Sequence, residues 1–261
     1  MAKEVALPFV DVLGVRVHTL SLEDVIGHIL RTVDEGNRAI VAYANVHAIN
    51  LAFGHAEFRG FLNSADVVFC DGQGLRLGAR LAGLRIPNRF TPPDWIHQLA
   101  SECAKRGFSI YLLGARPGVA TQAARRLERD VPGLRICGTH HGYFDKAPGH
   151  VENEQVIEAI NAARPSILVV GFGMPLQELW LNRNWRRLNA NVALPAGALL
   201  DYLAGGVPRA PRWLTDRGFE WLARLLIEPR RLWSRYLIGN PLFLGRVLLN
   251  RLGLLRVPPI D

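Results

Sequence analysis

Six short apolar runs punctuate the chain at intervals set by helical patterns, and this alternation restricts the fold more than any other feature. The runs are AIVAYAN (39–45), DVVFC (66–70), SIYLLG (109–114), LRICGTH (134–140), SILVVGFG (166–173) and NVALPAG (191–197). The segments 46–65, 91–107, 119–133, 153–165 and 175–189 between them space their apolar residues at helical intervals. Strand–helix–strand repetition predicts an α/β fold: a Rossmann-like parallel sheet with helices on both faces. Continuous runs such as ILVVG suit strands covered on both sides. The expected core is 1–208, followed by a basic appendage over 209–261.

In such sheets ligands bind beyond the carboxyl ends of the strands. That rule selects Asn45, Asp71 with Gly72 and Gly74, the turn from Gly114 through Arg116 to Gly118, and the stretch from Gly173 to Glu178, which includes Gln177. Asp71 is the sharpest candidate. It directly follows an apolar strand and precedes two glycines that let a ligand approach the backbone closely. A strand-end aspartate also serves as a helix cap or turn former. GARPGVA (114–120) opens a helix behind a strand, so its amides could hold a phosphate. It could equally be only a tight connection.

Charge is concentrated at the C-terminal end. From Arg209 onward there are ten arginines and four acids, a net +6 of the chain's formal +8. If 218–237 is helical, Arg224, Arg231 and Arg235 share one narrow stripe, while Trp221, Leu222, Leu225, Leu226, Leu232, Trp233, Tyr236 and Leu237 share the adjoining face. Such a basic amphipathic segment suits a membrane interface; a core-packed terminal helix with a solvated basic face is the competing reading. Pro229 favours two helices meeting at Glu228-Pro229 over one straight helix. LIGNPLFLGRVLLNRLGLL is interrupted by glycine, proline, asparagine and arginine, so membrane contact is expected to be monotopic.

Other function classes fare worse. Cys70, Cys103 and Cys137 form no CxxC pair and the eight histidines show no ligand spacing, which predicts no bound metal and no cofactor. The body lacks a basic stripe with interleaved aromatics, so no nucleic-acid partner is expected. The N-terminal MAKEVALPFVDVLGV carries acids in its apolar run and no cleavable signal pattern, which predicts a cytoplasmic protein.

The order of motifs resembles the WecG/TagA/CpsF glycosyltransferases, glycosyltransferase family 26. The matching pieces are Tyr43-Ala44-Asn45, CDGQGL (70–75), RFTPPD (89–94), LLGARPGVA (112–120), GYF (142–144), GMPLQE (173–178), PAGALLDYLAGGVPRAP (195–211) and FEWLARLLIEPRRLWSRY (219–236). The resemblance implies an inverting, metal-independent transferase that moves a sugar from a UDP-sugar to a polyprenyl-diphosphate-linked sugar, peripheral on the inner face of the cell membrane. It makes Asp71 the general base, and Asn45 and Gln177 substrate or transition-state contacts. Tyr43, Gly72, Arg89, Gly114, Arg116 and Glu178 complete the implied substrate-binding set, and Arg224, Arg231 and Arg235 become ligands of the lipid diphosphate. Tyr43 stands where the family tends to show threonine, so the sugar pocket is expected to differ from that of N-acetylmannosamine-transferring members. Glucose, N-acetylmannosamine and its uronic acid all suit the family as donors, and a homo-oligomer is compatible with it. A nucleotide-binding oxidoreductase and a non-catalytic membrane scaffold are the rival readings. The first is weakened because GARPGVA is not GxGxxG.

Overall fold

All six apolar runs fold as strands. In a computed structural model of the chain, which describes residues 7–206, 222, 225–226 and 229–259, they are β3 (Ala39–Ala44), β4 (Val67–Cys70), β5 (Ser109–Gly114), β6 (Arg135–His140), β7 (Ile167–Gly171) and β8 (Val192–Pro195). They form one six-stranded sheet in the order β4-β3-β8-β7-β5-β6. The registered pairs β3–β8, β8–β7, β7–β5 and β5–β6 are all parallel. Every residue of β3, β4, β5, β7 and β8 is buried, as near-continuous apolar strands require. Helices flank the sheet, giving the expected Rossmann-like α/β architecture.

An antiparallel hairpin, β1 (Phe9–Val12) and β2 (Val15–His18), precedes the sheet. Its two-residue turn places Leu13 at φ +53° and Gly14 at φ +80°, and the Gly14 amide donates to Asp11 Oδ1 at 2.8 Å. Helix α1 (Leu22–Asp34) follows. The single helical pattern read over 46–65 is two helices, α2 (Val46–Gly54) and α3 (Ala56–Ser64). They part at His55, which is extended and accepts the Phe58 amide on Nδ1. Next come α4 (Gln73–Leu81), α5 (Pro92–Arg106), α6 (Val119–Asp130), α7 (Val151–Ala163), α8 (Leu176–Asn184) and α9 (Leu199–Leu203). In the C-terminal segment α10 (Pro229–Trp233) begins at the expected proline, passes through a π-helical turn, Ser234–Ile238, and leads into α11 (Gly239–Arg251).

Contacts divide the chain into two units, one of Met1–Val25, Tyr43–Phe90 and Arg209–Asp261, the other of Ile26–Ala42 and Thr91–Pro208. The first unit is knit by its C-terminal helix. Asn50 on α2 donates to the Gly239 carbonyl at 2.7 Å and accepts from Arg246 at 3.0 Å, while Arg246 lies 4.3 Å from the Phe53 ring centre. Phe243, fully buried, packs where a Cβ on Gly78 of α4 would come within 2.1 Å of its ring. The chain end is strapped to the same unit by buried Arg59, which donates to the Pro258 and Pro259 carbonyls at 2.7 Å each.

Candidate active site

Helices α2 and α4 follow adjacent strands, and the residues at their starts meet. Asn45 caps α2: its Oδ1 accepts the Ala48 amide at 3.0 Å, which directs its amide nitrogen to Asp71 Oδ2 at 3.1 Å. Asp71 is held from the backbone side as well, its amide donating to the Ala44 carbonyl at 2.8 Å. Gly72 follows at φ +101°, a left-handed conformation that glycine adopts without strain, and caps the start of α4 with open space around it. The loop back from α4 is tied by Phe90, whose amide donates to the Cys70 carbonyl at 3.1 Å and whose ring stacks on Phe69 at 4.9 Å.

Asn45 and Asp71 open onto a cavity of about 1040 Å³ within the first unit, the size of a large small-molecule site. Among the described residues five arginines line it: Arg76 and Arg80 from one face of α4, Arg85 and Arg89 from the loop, and Arg235 from the C-terminal π turn. Among the described residues Asp71 is the one carboxylate in that lining. The described lining is therefore cationic around the Asp71 carboxylate. The field is legible at Cys70, whose thiol burial pushes up to about 12; the Asp71 charge adds to that rise while Arg76 and Arg89 oppose it. Tyr236, Asn240, Phe243 and Leu244 supply the C-terminal wall.

The implied site residues thus divide. Asn45, Asp71, Gly72, Arg89 and Arg235 line this cavity. Tyr43 is buried in β3 with its ring 6.0 Å from Phe69, and is not in the lining. Arg224 lies outside the described residues, and only the backbone of Arg231 is described, in α10. Arg76, Arg80, Arg85 and His47 went unread in the sequence. The spacing of Arg76 and Arg80, four apart with Leu75 and Ala79 inward, carried the signal for the α4 pair.

Gly114, Arg116, Gln177 and Glu178 belong to the second unit. Gly114 sits at φ +148°, where a Cβ would meet the Gly171 carbonyl at 2.4 Å, so glycine here permits β5 and β7 to end in close contact. Arg116 is exposed in the turn before α6. Gln177 is fully buried and accepts the Gly173 and Gly197 amides at 3.2 and 3.0 Å, fastening together the loops that follow β7 and β8. Its amide donates to Glu178 Oε1 at 2.7 Å, while Glu178 Oε2 is buried with no hydrogen-bond partner among the described residues.

Burial raises the Glu178 carboxyl to about 7. Its unfolded value is near the ordinary 4.5, so between about pH 4.5 and 7 the unfolded chain releases this proton while the folded chain keeps it. Stability is expected to fall as pH rises through that window. Glu178→Gln should remove this part of the pH dependence, an effect on the order of 3 kcal/mol at neutral pH by the linkage of pKa shift to stability. Urea denaturation at pH 5 and pH 8 measures it; an unchanged pH dependence in the variant contradicts the assignment.

Among the described residues no helix is long and apolar enough to cross a membrane. The C-terminal segment nevertheless exposes Trp233, Leu237, Ile238, Leu242, Leu248, Leu249, Leu252 and Leu254.

The chain is similar to enzymes named N-acetylglucosaminyldiphosphoundecaprenol N-acetyl-β-D-mannosaminyltransferase. The Bacillus spizizenii protein is 28% identical over 228 residues, covering 87% of this chain and 86% of that one. The Staphylococcus aureus (strain NCTC 8325) protein is 28% identical over 249 residues, covering 91% of each. The family model described as Glycosyl transferase WecG/TagA/CpsF matches residues 10–256, nearly the whole of the fold and all of the arginine-lined cavity. The chain therefore belongs to the WecG/TagA/CpsF family of glycosyl transferases.

Proposed function

We propose that this protein is an inverting N-acetylhexosaminyl- or hexosyltransferase that moves one sugar from a UDP-sugar to a polyprenyl-diphosphate-linked sugar, in cell-surface polysaccharide assembly. The observation that carries this reading is the Asn45–Asp71 hydrogen bond on an arginine-lined cavity of about 1040 Å³. Both substrates bring a diphosphate, and five guanidiniums suit two such groups. The names of the similar Bacillus and Staphylococcus enzymes supply the acceptor class, a diphospho-undecaprenol carrying N-acetylglucosamine.

In the reaction the acceptor hydroxyl oxygen attacks the anomeric carbon of the donor sugar. Its proton passes to an Asp71 carboxylate oxygen. The bond from the anomeric carbon to the diphosphate oxygen breaks, and the electron pair leaves with the nucleoside diphosphate, whose developing charge the arginines stabilise. The hydrogen bond from Asn45 fixes the carboxylate, which keeps its geometry while the substrates bind. The exposed Trp233, Leu237, Ile238 and Leu242, with exposed Arg230 close by in sequence, suit peripheral contact with an anionic bilayer, where the acceptor's lipid resides.

A panel of UDP-sugars, incubated with short-chain polyprenyl-diphosphate N-acetylglucosamine and read by mass spectrometry, tests the function. One donor is expected to give an acceptor extended by one sugar; no extension with any donor would refute the reading. Because the arginines supply positive charge to the departing diphosphate, EDTA is expected to leave the rate within about twofold. Loss of turnover in EDTA that Mg²⁺ restores would overturn that part.

A further inference from the structure

His47 lies in the first turn of α2, two residues beyond the cap that holds Asp71, and lines the same cavity as Arg235. It is half-buried, and burial together with the nearby Arg235 charge pushes its imidazole down to about 4. At neutral pH it is an uncharged group with one hydrogen-bond donor and one acceptor, set in a wall otherwise dominated by guanidiniums. A second cation would serve diphosphate binding better. A neutral imidazole suits sugar hydroxyls or an acetamido group.

The order of groups gives the sugar an identity. Arg235 comes from the C-terminal segment, where Trp233, Leu237 and Ile238 stand exposed within three residues of it, so this side of the cavity is the lipid side. His47 lines the cavity together with Arg235, and Asn45 and its partner Asp71 stand at the cap of the same helix. A lipid diphosphate held at Arg235 leaves its attached sugar to occupy the cavity that His47 and Asp71 also line. We infer that His47 is a specificity-determining residue for the acceptor, hydrogen-bonding the sugar that is joined to the lipid diphosphate. The inference rests on the proposed transfer to such an acceptor and adds the residue that reads its sugar.

The test compares wild-type protein, His47→Ala and His47→Gln with short-chain polyprenyl-diphosphate N-acetylglucosamine as acceptor, and uses sugar-free polyprenyl diphosphate as a competitor. His47→Ala is expected to raise the acceptor KM about tenfold, the scale of one or two lost hydrogen bonds, with donor KM unchanged and kcat within about threefold. His47→Gln, a neutral donor and acceptor, is expected to recover most of that loss. Inhibition by the sugar-free diphosphate should be equal in wild type and His47→Ala, because Arg235, and not His47, meets that group. An unchanged acceptor KM in His47→Ala, an equal rise in donor KM, or weakened inhibition by the sugar-free competitor would overturn the assignment while the wild type still turns over. Lack of turnover by the wild type would instead overturn the transfer reading beneath it.

Discussion

Asp71→Asn is expected to lower kcat by about 100-fold or more, the scale for loss of a general base, while leaving the melting temperature and donor affinity near wild type. The asparagine is nearly isosteric and its carbonyl oxygen can still accept from Asn45, so the 3.1 Å contact and the start of α4 persist. Proton acceptance is removed, together with the negative charge of the carboxylate. Among the described residues Asp71 is the single carboxylate lining the cavity, so none of them offers a second acid there. Steady-state kinetics and UDP titration on the purified variant separate the outcomes. Near-normal turnover would remove Asp71 from the chemistry, and loss of donor binding along with turnover would make it a binding residue.

The second large effect is expected from a residue that touches no substrate. Gly78→Ala adds a Cβ that would lie 2.1 and 2.4 Å from two ring atoms of Phe243, which is itself buried. Neither α4 nor α11 can keep its place. Overpacking of this kind costs about 1–3 kcal/mol, and the displaced helices are those that present Arg76, Arg80, Asn240 and Phe243 to the cavity. Turnover is expected to fall about tenfold or more, because catalysis is sensitive to displacements near 1 Å. Phe243→Leu in the same chain should restore much of both losses, since coupled residues in contact do not act additively. Additive losses in the double variant, or a wild-type melting temperature for Gly78→Ala, would show that this contact does not hold the wall in place.

The same glycines explain why parts of the fold were hard to read. Strands β3, β4, β5, β7 and β8 announced themselves because burial on both faces demands unbroken apolar runs, and each of β3 to β8 falls within one of the six runs. Helix α4 did not, because Gly74 and Gly78 look like turn residues. They are contact points, with a Cβ at Gly74 coming within 2.8 Å of Val46 and one at Gly78 meeting Phe243. Helix α11 was hidden by Gly239, Pro241 and Gly245. Its proline, Pro241, comes just after the π-helical turn, and a proline inside a helical stretch reads as a break. The β1–β2 hairpin escaped because its turn is Leu-Gly, with Leu13 at positive φ, in place of the usual Asn-Gly.

Within the site, Asp71 and Asn45 were legible from strand-end position, but their pairing was not, since it depends on two strands adjacent in the sheet and 26 residues apart in sequence. Gln177 and Glu178 were likewise marked by their motif, whereas their hydrogen bonds to each other and to the loops after β7 and β8 depend on the fold. The basic stripe of the C-terminal segment was visible as composition, whereas the use of Arg235 as a cavity wall followed only from the packing of α11 on α2 and α4.

The anomeric configuration of the product tests the central claim most directly. In the proposed single displacement Asp71 takes the acceptor proton while the diphosphate leaves from the opposite face, which inverts the anomeric carbon. NMR of the extended acceptor is expected to show a new glycosidic bond whose configuration is opposite to that of the UDP-sugar donor. A product with retained configuration, or hydrolysis of the donor with no sugar appearing on the lipid diphosphate, would contradict the account.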